Sequence, residues 1–366
     1  MILLIEKKDF INAIHTTARF TERSGMSLPI LSSILILATS DGIKFRATNL
    51  ETGIDFKVKG THKGEGVLAI PAKILEQIAG SLVGEGTVTI EQKGDTALLK
   101  IGSAQSSIRT TPPEDFPTIP IPESPKGRVV LSGVTIKNLL SSIAGCASTS
   151  SVRPELASVY FSIEGGTCTA VATDSFRLAE KKIALNGKGV QSKLLIPAKN
   201  ALDIAQALPD EEVIVTFDDH QCAFVSELGM FSTRLTAAMY PDYRQIIPKE
   251  SVAEAIVLRR DLELALKRAT IFSDVFQKVL LSFDPKKKML TLFSRNTDVG
   301  ETTEPIAGQL SGSAIELSFN HRYLSAFFSL IAAENISLTS SGVGRPLIMR
   351  GVGDASLLYL VMPMNQ

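Results

Sequence analysis

IPAKILEQIAGSL, residues 70–82, and IPAKNALDIAQAL, residues 196–208, are two versions of one segment. Each opens Ile-Pro-Ala-Lys and then sets apolar residues at i, i+3, i+4 and i+7. They are Leu75, Ile78, Ala79 and Leu82 in the first version, and Ala201, Ile204, Ala205 and Leu208 in the second, 126 positions on. That spacing places four side chains on one helix face. FNHRYLSAFFSLI, residues 319–331, is a third version, with Leu324, Phe327, Phe328 and Ile331 in the same phase 123 positions further along. A second set of helices keeps the same period: Phe10, Ala13 and Ile14, interrupted at Thr17; Ile136, Leu139, Leu140 and Ile143; Leu262, Ala265, Leu266 and Ala269. Two matched stripes per unit in three units define a triplicated chain.

Between the stripes lie short runs rich in β-formers and broken by turn residues. SSILILATSDGIKFRATNL, ASVYFSIEGGTCTAVATDS and KVLLSFDPKKKMLTLFSRN each read as strand, turn, strand. The second helices are followed by GTVTIEQKGDTALLKI, EVIVTFDDHQCAFVS and NISLTSSGVGRPLIMRGV. Each unit is therefore strand, helix, strands, helix, strands. Hairpin-length turns imply antiparallel sheets and an α+β fold. The proline-rich PPEDFPTIPIPESP and the similar YPDYRQIIPKE mark the joints, dividing the chain into 1–124, 125–249 and 250–366.

Composition limits the function. The 366 residues include 38 basic and 38 acidic side chains, so bulk positive charge is excluded as a means of holding nucleic acid, while a locally basic surface is not. Apolar residues are 44% of the chain and evenly spread, which excludes large-scale disorder. Cys146, Cys168 and Cys222 are far apart, so neither a zinc site nor a disulfide framework is expected, and a reducing, cytoplasmic compartment fits. MILLIEKKDF meets charge too early for a signal-peptide core, and no stretch approaches a membrane span.

Catalytic patterns are missing. No glycine-rich phosphate loop ends in Gly-Lys-Ser or Gly-Lys-Thr, and His15, His62, His220 and His321 lack metal-ligand spacing, so no cofactor or metal is expected. A rival reading, a repeat-built hydrolase using Asp174 and His220, needs a converging titratable cluster that the sequence does not display. The basic residues are more informative. Lys73, Lys199 and Arg322 occupy one repeat position, two residues before each stripe, where a cation opposes the helix dipole. Lys8, Arg19, Arg23, Lys137, Lys267 and Arg268 add charge on or near the first-helix set. Together they outline a basic helix layer suited to phosphates without base readout. A scaffold that binds peptides but no DNA is the third alternative.

Four local signatures, LPIL (28–31), ATDSFRLA (172–179), YPDYRQIIPK (240–249) and YLVMPM (359–364), together with the full-length repeats, resemble the bacterial DNA sliding clamps, the beta subunits of the replicative DNA polymerase III. The resemblance implies three tandem clamp domains, each of two helices packed on antiparallel sheets. It implies a head-to-tail homodimer that closes a six-domain ring around duplex DNA. It implies a non-catalytic processivity factor that tethers the polymerase catalytic subunit, is opened by a clamp loader, and serves other clamp-binding-motif proteins. Carried over residue by residue, a partner-peptide groove would contain Thr173, Arg177, Leu178, Pro241, Ile246, Leu360 and Met362, with Arg153, Leu156, Val361, Pro363 and Met364 around it. The ring interface would bring Ser106 and Ile108 to Ile271 and Phe272. The sequence departs from the family at Ser175 and Phe176, where a glycine-histidine pair is common, and at Ser106, where a large apolar residue is frequent.

Overall fold

The computed structural model describes residues 1–22, 28–185 and 191–364. Arg23, one of the basic residues named from sequence, lies outside them. The chain makes three passes through one element order. The first is β1 (Ile2–Glu6), α1 (Lys7–Thr17), β2 (Ser33–Thr39), β3 (Gly42–Thr48), β4 (Thr52–Val58), β5 (Thr61–Lys63), β6 (Gly66–Pro71), α2 (Ala72–Ser81), β7 (Thr87–Lys93), β8 (Thr96–Ile101) and β9 (Ala104–Arg109). The second is β10 (Gly127–Ser132), α3 (Gly133–Ala144), β11 (Ser158–Glu164), β12 (Thr167–Thr173), β13 (Arg177–Ala184), β14 (Ser192–Pro197), α4 (Ala198–Ala207), β15 (Glu212–Phe217), β16 (Gln221–Ser226) and β17 (Gly229–Arg234). The third is β18 (Ala253–Leu258), α5 (Arg259–Ala269), β19 (Lys278–Asp284), β20 (Met289–Asn296), β21 (Gly300–Gly312), β22 (Ile315–Asn320), α6 (His321–Ala326), β23 (Asn335–Ser340), β24 (Leu347–Gly351) and β25 (Leu357–Val361).

Several strands follow the period-two rule that one-sided burial imposes, while β12 and β25 are buried at almost every position. In β19, Val279, Leu281 and Phe283 are buried; in β3, Ile43, Phe45 and Ala47 are. The Gly-Gly turn of the EGG stretch has positive φ at both Gly165 and Gly166, the conformation that joins tight hairpins.

The helix stripes also hold, with two local differences. Thr17 interrupts the first stripe chemically but not sterically: it is fully buried. The third second-helix is shorter than its stripe, because α6 ends at Ala326 and tightens into a 3-10 turn over Phe327–Ser329. Phe327, Phe328 and Ile331 nonetheless stay buried.

The fold divides into two compact units that cut across the sequence repeats. The first, chiefly Met1–Asn138 and Lys199–Ala237, holds a five-stranded sheet, β5-β1-β7-β8-β9, and an eight-stranded sheet, β10-β15-β16-β17-β4-β3-β2-β6. The second, chiefly Leu139–Ala184 and Ala238–Gln366, holds one twelve-stranded array, β14-β11-β12-β13-β25-β24-β23-β18-β21-β20-β19-β22.

Edge-to-edge pairing between repeats produces this division. Strand β17 of repeat two pairs with β4 of repeat one, and β25 of repeat three pairs with β13 of repeat two. At the first joint a Cβ on Gly229 would collide with the Asp55 carbonyl oxygen, so the close approach of β17 to β4 requires glycine there.

Candidate functional site

The β13–β25 joint builds an apolar floor. Thr173 pairs with Leu178, Leu178 with Leu360, and Leu360 with Ile348, a row crossing β12, β13, β25 and β24. Cross-strand neighbours on one face touch. Leu178, Leu360 and Ile348 accordingly cluster with Val171, Tyr243 and Leu358, and Tyr160, Tyr240, Ile247 and Met362 pack against them. Tyr240 stacks on Tyr160 at 4.8 Å, and Tyr243 meets both edge-on. The Tyr243 hydroxyl donates to the buried Glu180 carboxylate at 2.6 Å, while Lys182 holds the other oxygen at 3.0 Å.

Beside this floor opens a cavity of about 460 Å³, lined by Ile246, Pro248, Val252, Pro346 and Met362 with Lys249, Glu250 and Arg345 at its polar wall. Met362 belongs to both cavity and floor. An apolar wall facing a polar one suits an apolar side chain presented by a short segment.

The residues named from sequence distribute unevenly over this site. Ile246 and Met362 line the cavity, whereas Leu178 and Leu360 form the fully buried floor. Thr173 is buried and its hydroxyl donates to the Arg177 carbonyl. Leu156 is buried, and Val361 pairs with Arg177 along the strand joint. Pro241 lines a smaller cavity with Tyr160, Tyr243 and Arg244. Arg153 is exposed and paired with Glu155 at 3.0 Å.

Met362 and Met364 are tied to the fold through their main chain. The Met362 N–H donates to the Phe176 carbonyl, the Met364 N–H donates to the Ser318 carbonyl, and Pro363 between them is half-buried.

Arg177 is committed rather than free. Its Nε donates to Asp174 at 3.0 Å and its Nη2 to the Gly145 carbonyl at 2.8 Å, while the guanidinium lies 5.3 Å from the Tyr323 ring centroid. Asp174 is used up in the same turn, its Oδ1 accepting the N–H groups of Phe176 and Arg177. His220 sits in a turn where the Asp218 carboxylate accepts its backbone N–H. Burial pushes the nearby Cys146 thiol up to about 11, so it stays protonated and is a poor nucleophile.

Sequence reasoning missed Tyr243, Ile348, Pro346, Lys249 and Arg345. Tyr243 and Lys249 lie inside the YPDYRQIIPK signature, and Pro346 sits in NISLTSSGVGRPLIMRGV, which read only as a strand group.

The basic residues sort by partner. Among the described residues Lys8, Lys73, Lys199 and Arg322 are exposed and make no ion pair. Lys137 is paired with Asp210, Lys267 with Glu263 and Arg268 with Glu304. Arg19 donates to the Gln206 side chain. Lys8, Lys73, Lys199, Arg260 and Arg322 are each the second residue of their helix, so five of the six described helices carry an exposed cation at that position; α3 has Val134 there. The helix dipole favours the opposite charge at that end.

The residues expected at a ring interface differ in exposure. Ser106 is exposed on β9, while Ile108 is 6% exposed against Ala97 of its own sheet. Ile271 is exposed and Phe272 half-buried. Val275 and Phe276, which the sequence did not single out, extend that apolar surface.

Comparison with known proteins matches the chain to three family models in tandem. They are the N-terminal domain of the DNA polymerase III beta subunit over residues 1–120, the central domain over 130–242 and the C-terminal domain over 244–365. The beta sliding clamp of Bacillus subtilis is 25% identical with both chains fully covered, and that of Synechococcus elongatus is 25% identical over 97% of each. Among solved structures, a Bacillus subtilis polymerase sliding clamp superposes with a TM-score of 0.92 at 24% identity, covering 100% of this chain and 99% of that one. A Pseudomonas aeruginosa sliding clamp bound to griselimycin gives 0.93 at 22% identity, with both chains fully covered. With the three models running in order along nearly its whole length, the chain belongs to the DNA polymerase III beta subunit family.

Proposed function

We propose that this protein is a DNA sliding clamp: it encircles duplex DNA, tethers the replicative polymerase and other DNA-processing proteins to the template, and catalyses nothing itself. The tandem match of all three domain models carries this reading. On it, three clamp domains divide at about residues 124 and 249. The exposed second-position cations face DNA, and the floor and cavity around Leu178 and Met362 receive partner peptides. A clamp loader opens the ring. No helix among the described residues is long and apolar enough to cross a membrane, and we place the protein's work in the cytoplasm.

Open strand edges support a head-to-tail homodimer. The strands that close repeats two and three, β17 and β25, pair with the strands β4 and β13 of the preceding repeat. Their counterpart in repeat one, β9, ends its sheet with one neighbour among the described residues. The counterpart of β4 and β13 in repeat three is the first half of β21. Among the described residues it pairs only with β20 from Gly300 to Ala307, before β18 takes up Gly308–Gly312. One unpaired edge of each kind per chain is the condition for a heterologous contact that closes two copies into a ring.

The test is retention on nicked circular DNA after loading by a bacterial clamp loader, followed by linearisation of the circle. A clamp stays on the circle and escapes from the cut ends. Retention after linearisation at moderate salt means direct binding and overturns the ring.

A further inference from the structure

The β4–β17 joint and the β13–β25 joint are built on one plan. ATNLETGI, residues 47–54, makes the same turn as ATDSFRLA, residues 172–179. The Thr48 hydroxyl donates to the Thr52 carbonyl and accepts the Leu50 N–H, as the Thr173 hydroxyl does with Arg177 and Ser175. Leu50 and Ser175 both hold positive φ, 72° and 76°. The Asn49 side-chain oxygen accepts the N–H groups of Glu51 and Thr52, as Asp174 accepts those of Phe176 and Arg177. The Arg234 N–H donates to Glu51 and the Met362 N–H to Phe176, each at 2.8 Å. What covers the two joints differs. The row Thr173, Leu178, Leu360 and Ile348 has as its counterpart Thr48, Gly53, Ser232 and Ala223, a floor of small side chains. Ile119 of the first linker lies on that floor, 8% exposed, and a Cβ on Gly53 would collide with its Cγ2. Gly53 does not have positive φ, so the joint uses its missing side chain and not its conformational freedom.

We infer that the first joint is a second socket of the same kind, already occupied by the chain's own linker: Ile119 seats on Gly53, Ser232 and Ala223, and this self-occupancy confines partner peptides to the second joint. The seat stands on the geometry of the first joint, and its consequence for peptides rests on the groove reading of the second. The linker is an extended strap with one anchor. Ile119 is the one buried residue between Thr111 and Val129, and Pro117, Pro120, Pro122 and Pro125 offer no donor. Among the described residues no main-chain group of 117–125 pairs with another main-chain group. Floor volume separates the two joints, because close-packed surfaces leave few voids. Small residues let Phe116-Pro117-Thr118-Ile119 settle onto the sheet. In the matching Tyr240-Pro241-Asp242-Tyr243, Tyr243 clusters with Leu178, Leu360 and Ile348 and bonds Glu180, and the 460 Å³ cavity opens beside it. The first socket therefore takes a single branched aliphatic side chain on an extended segment.

Two measurements on the full chain test this. The first is alkylation by iodoacetamide of Ile119→Cys and Ile121→Cys, made singly; Cys146, Cys168 and Cys222 are buried and set the background. Ile119→Cys is expected to react about tenfold or more slowly than Ile121→Cys, whose position is 43% exposed. Adding Gly53→Leu, which copies Leu178 and displaces the side chain at 119, should bring the two rates together. Equal rates without Gly53→Leu would overturn the seat, and unequal rates in the folded Gly53→Leu background would overturn the role of the floor. The second is titration with a fluorescein-labelled peptide selected from a random displayed library on the wild-type protein. Wild type should bind one peptide per chain, and Gly53→Leu and Ile119→Ala should each add a second, weaker class. Where Gly53→Leu fails to fold, Ile119→Ala decides. Two peptides per chain on wild type, or one on every folded variant, would overturn the confinement. Selection of no peptide by wild type would overturn the groove and the confinement with it, while the alkylation rates still judge the seat of Ile119.

Discussion

Reversing the charge at the second position of the helices separates what the fold prefers from what DNA binding demands. The variant is Lys73→Glu, Lys199→Glu and Arg322→Glu together, with the corresponding glutamines as neutral controls. Pro71, the residue before helix α2, gives it no side-chain cap, and no acidic residue lies in its first turn or in that of α4. The partial positive charge at each of these helix ends therefore meets only a cation. Replacing a cation by an anion there converts an unfavourable interaction into a favourable one, about 0.5–2 kcal/mol per helix at low salt. The six-residue α6, whose Asn320 side chain already accepts the Arg322 N–H, gains less. The three changes are thus expected to raise stability by on the order of 1–3 kcal/mol, an effect that shrinks as salt screens these exposed groups. The DNA effect runs the other way. Every phosphate that the protein no longer neutralises takes about 0.9 from the slope of log affinity against log salt, so three such phosphates per protomer take off up to about 2.7. Thermal unfolding and anisotropy of a short labelled duplex, both across a salt series, read the two effects. Glutamines should give half the stability gain and most of the DNA loss. An unchanged salt slope would show that these cations do not face DNA. A lower unfolding temperature at low salt would refute the dipole argument.

Three further outcomes follow from the second unit. Met362→Ala should weaken binding of a selected partner peptide by about tenfold or more, the worth of one well-buried apolar side chain, while the dimer persists in sedimentation; parallel loss of both would count against the groove. Tyr243→Phe leaves a 6% exposed Glu180 without its hydroxyl donor and should cost about 1.5–3 kcal/mol in denaturant unfolding, with Lys182 limiting the damage. Tyr243→Phe combined with Glu180→Gln should cost less than the sum of the two, and strict additivity would mean the hydroxyl–carboxylate bond contributes nothing. His321 is buried and bonded to the Gln277 amide oxygen at 2.7 Å, and burial, helped by Arg322, holds its pKa below the ordinary 6.5. The folded state therefore resists a proton that the unfolded chain accepts. Its contribution is fully present above about pH 6.5 and is lost as pH falls from there towards the lower folded value. His321→Gln should flatten that part of the stability–pH curve, and an unchanged curve would assign the acid sensitivity elsewhere.

The helices and hairpins were legible in the sequence because each buries one face, and burial writes itself into spacing. The stripes at Leu75 and Ala201, and the alternation of Val279, Leu281 and Phe283, are direct records of it. Partnership of charges is recorded nowhere in spacing. Arg177 looked like a cation available to a ligand, yet Asp174, Gly145 and Tyr323 occupy it, and two of those partners lie far off in the chain. Lys137 and Arg268 resembled Lys73 and Lys199 until Asp210 and Glu304 were brought beside them. Ile108, which the resemblance implies at the contact with another copy, is 6% exposed opposite Ala97 of its own sheet.

Neither did the repeats announce the compact units, and the reason is physical. Periodicity reports which face of a strand is buried, whereas the joining of one repeat to the next depends on main-chain edges, which every residue except proline presents alike. The close pairing of β17 with β4 shows in sequence only as Gly229, one glycine among 26. A chain built of three like units can thus declare its repeats plainly and still conceal which edges meet. Those joints are also where the molecule has made its distinctive surface: the row Thr173, Leu178, Leu360 and Ile348 exists only because β25 closes on β13. A substitution that opened this joint would remove the floor without touching any residue that lines the cavity. Loss of peptide binding from a change in the β13–β25 backbone pairing alone is therefore a sharper probe of the groove than loss from its apolar side chains, which the core needs in any case.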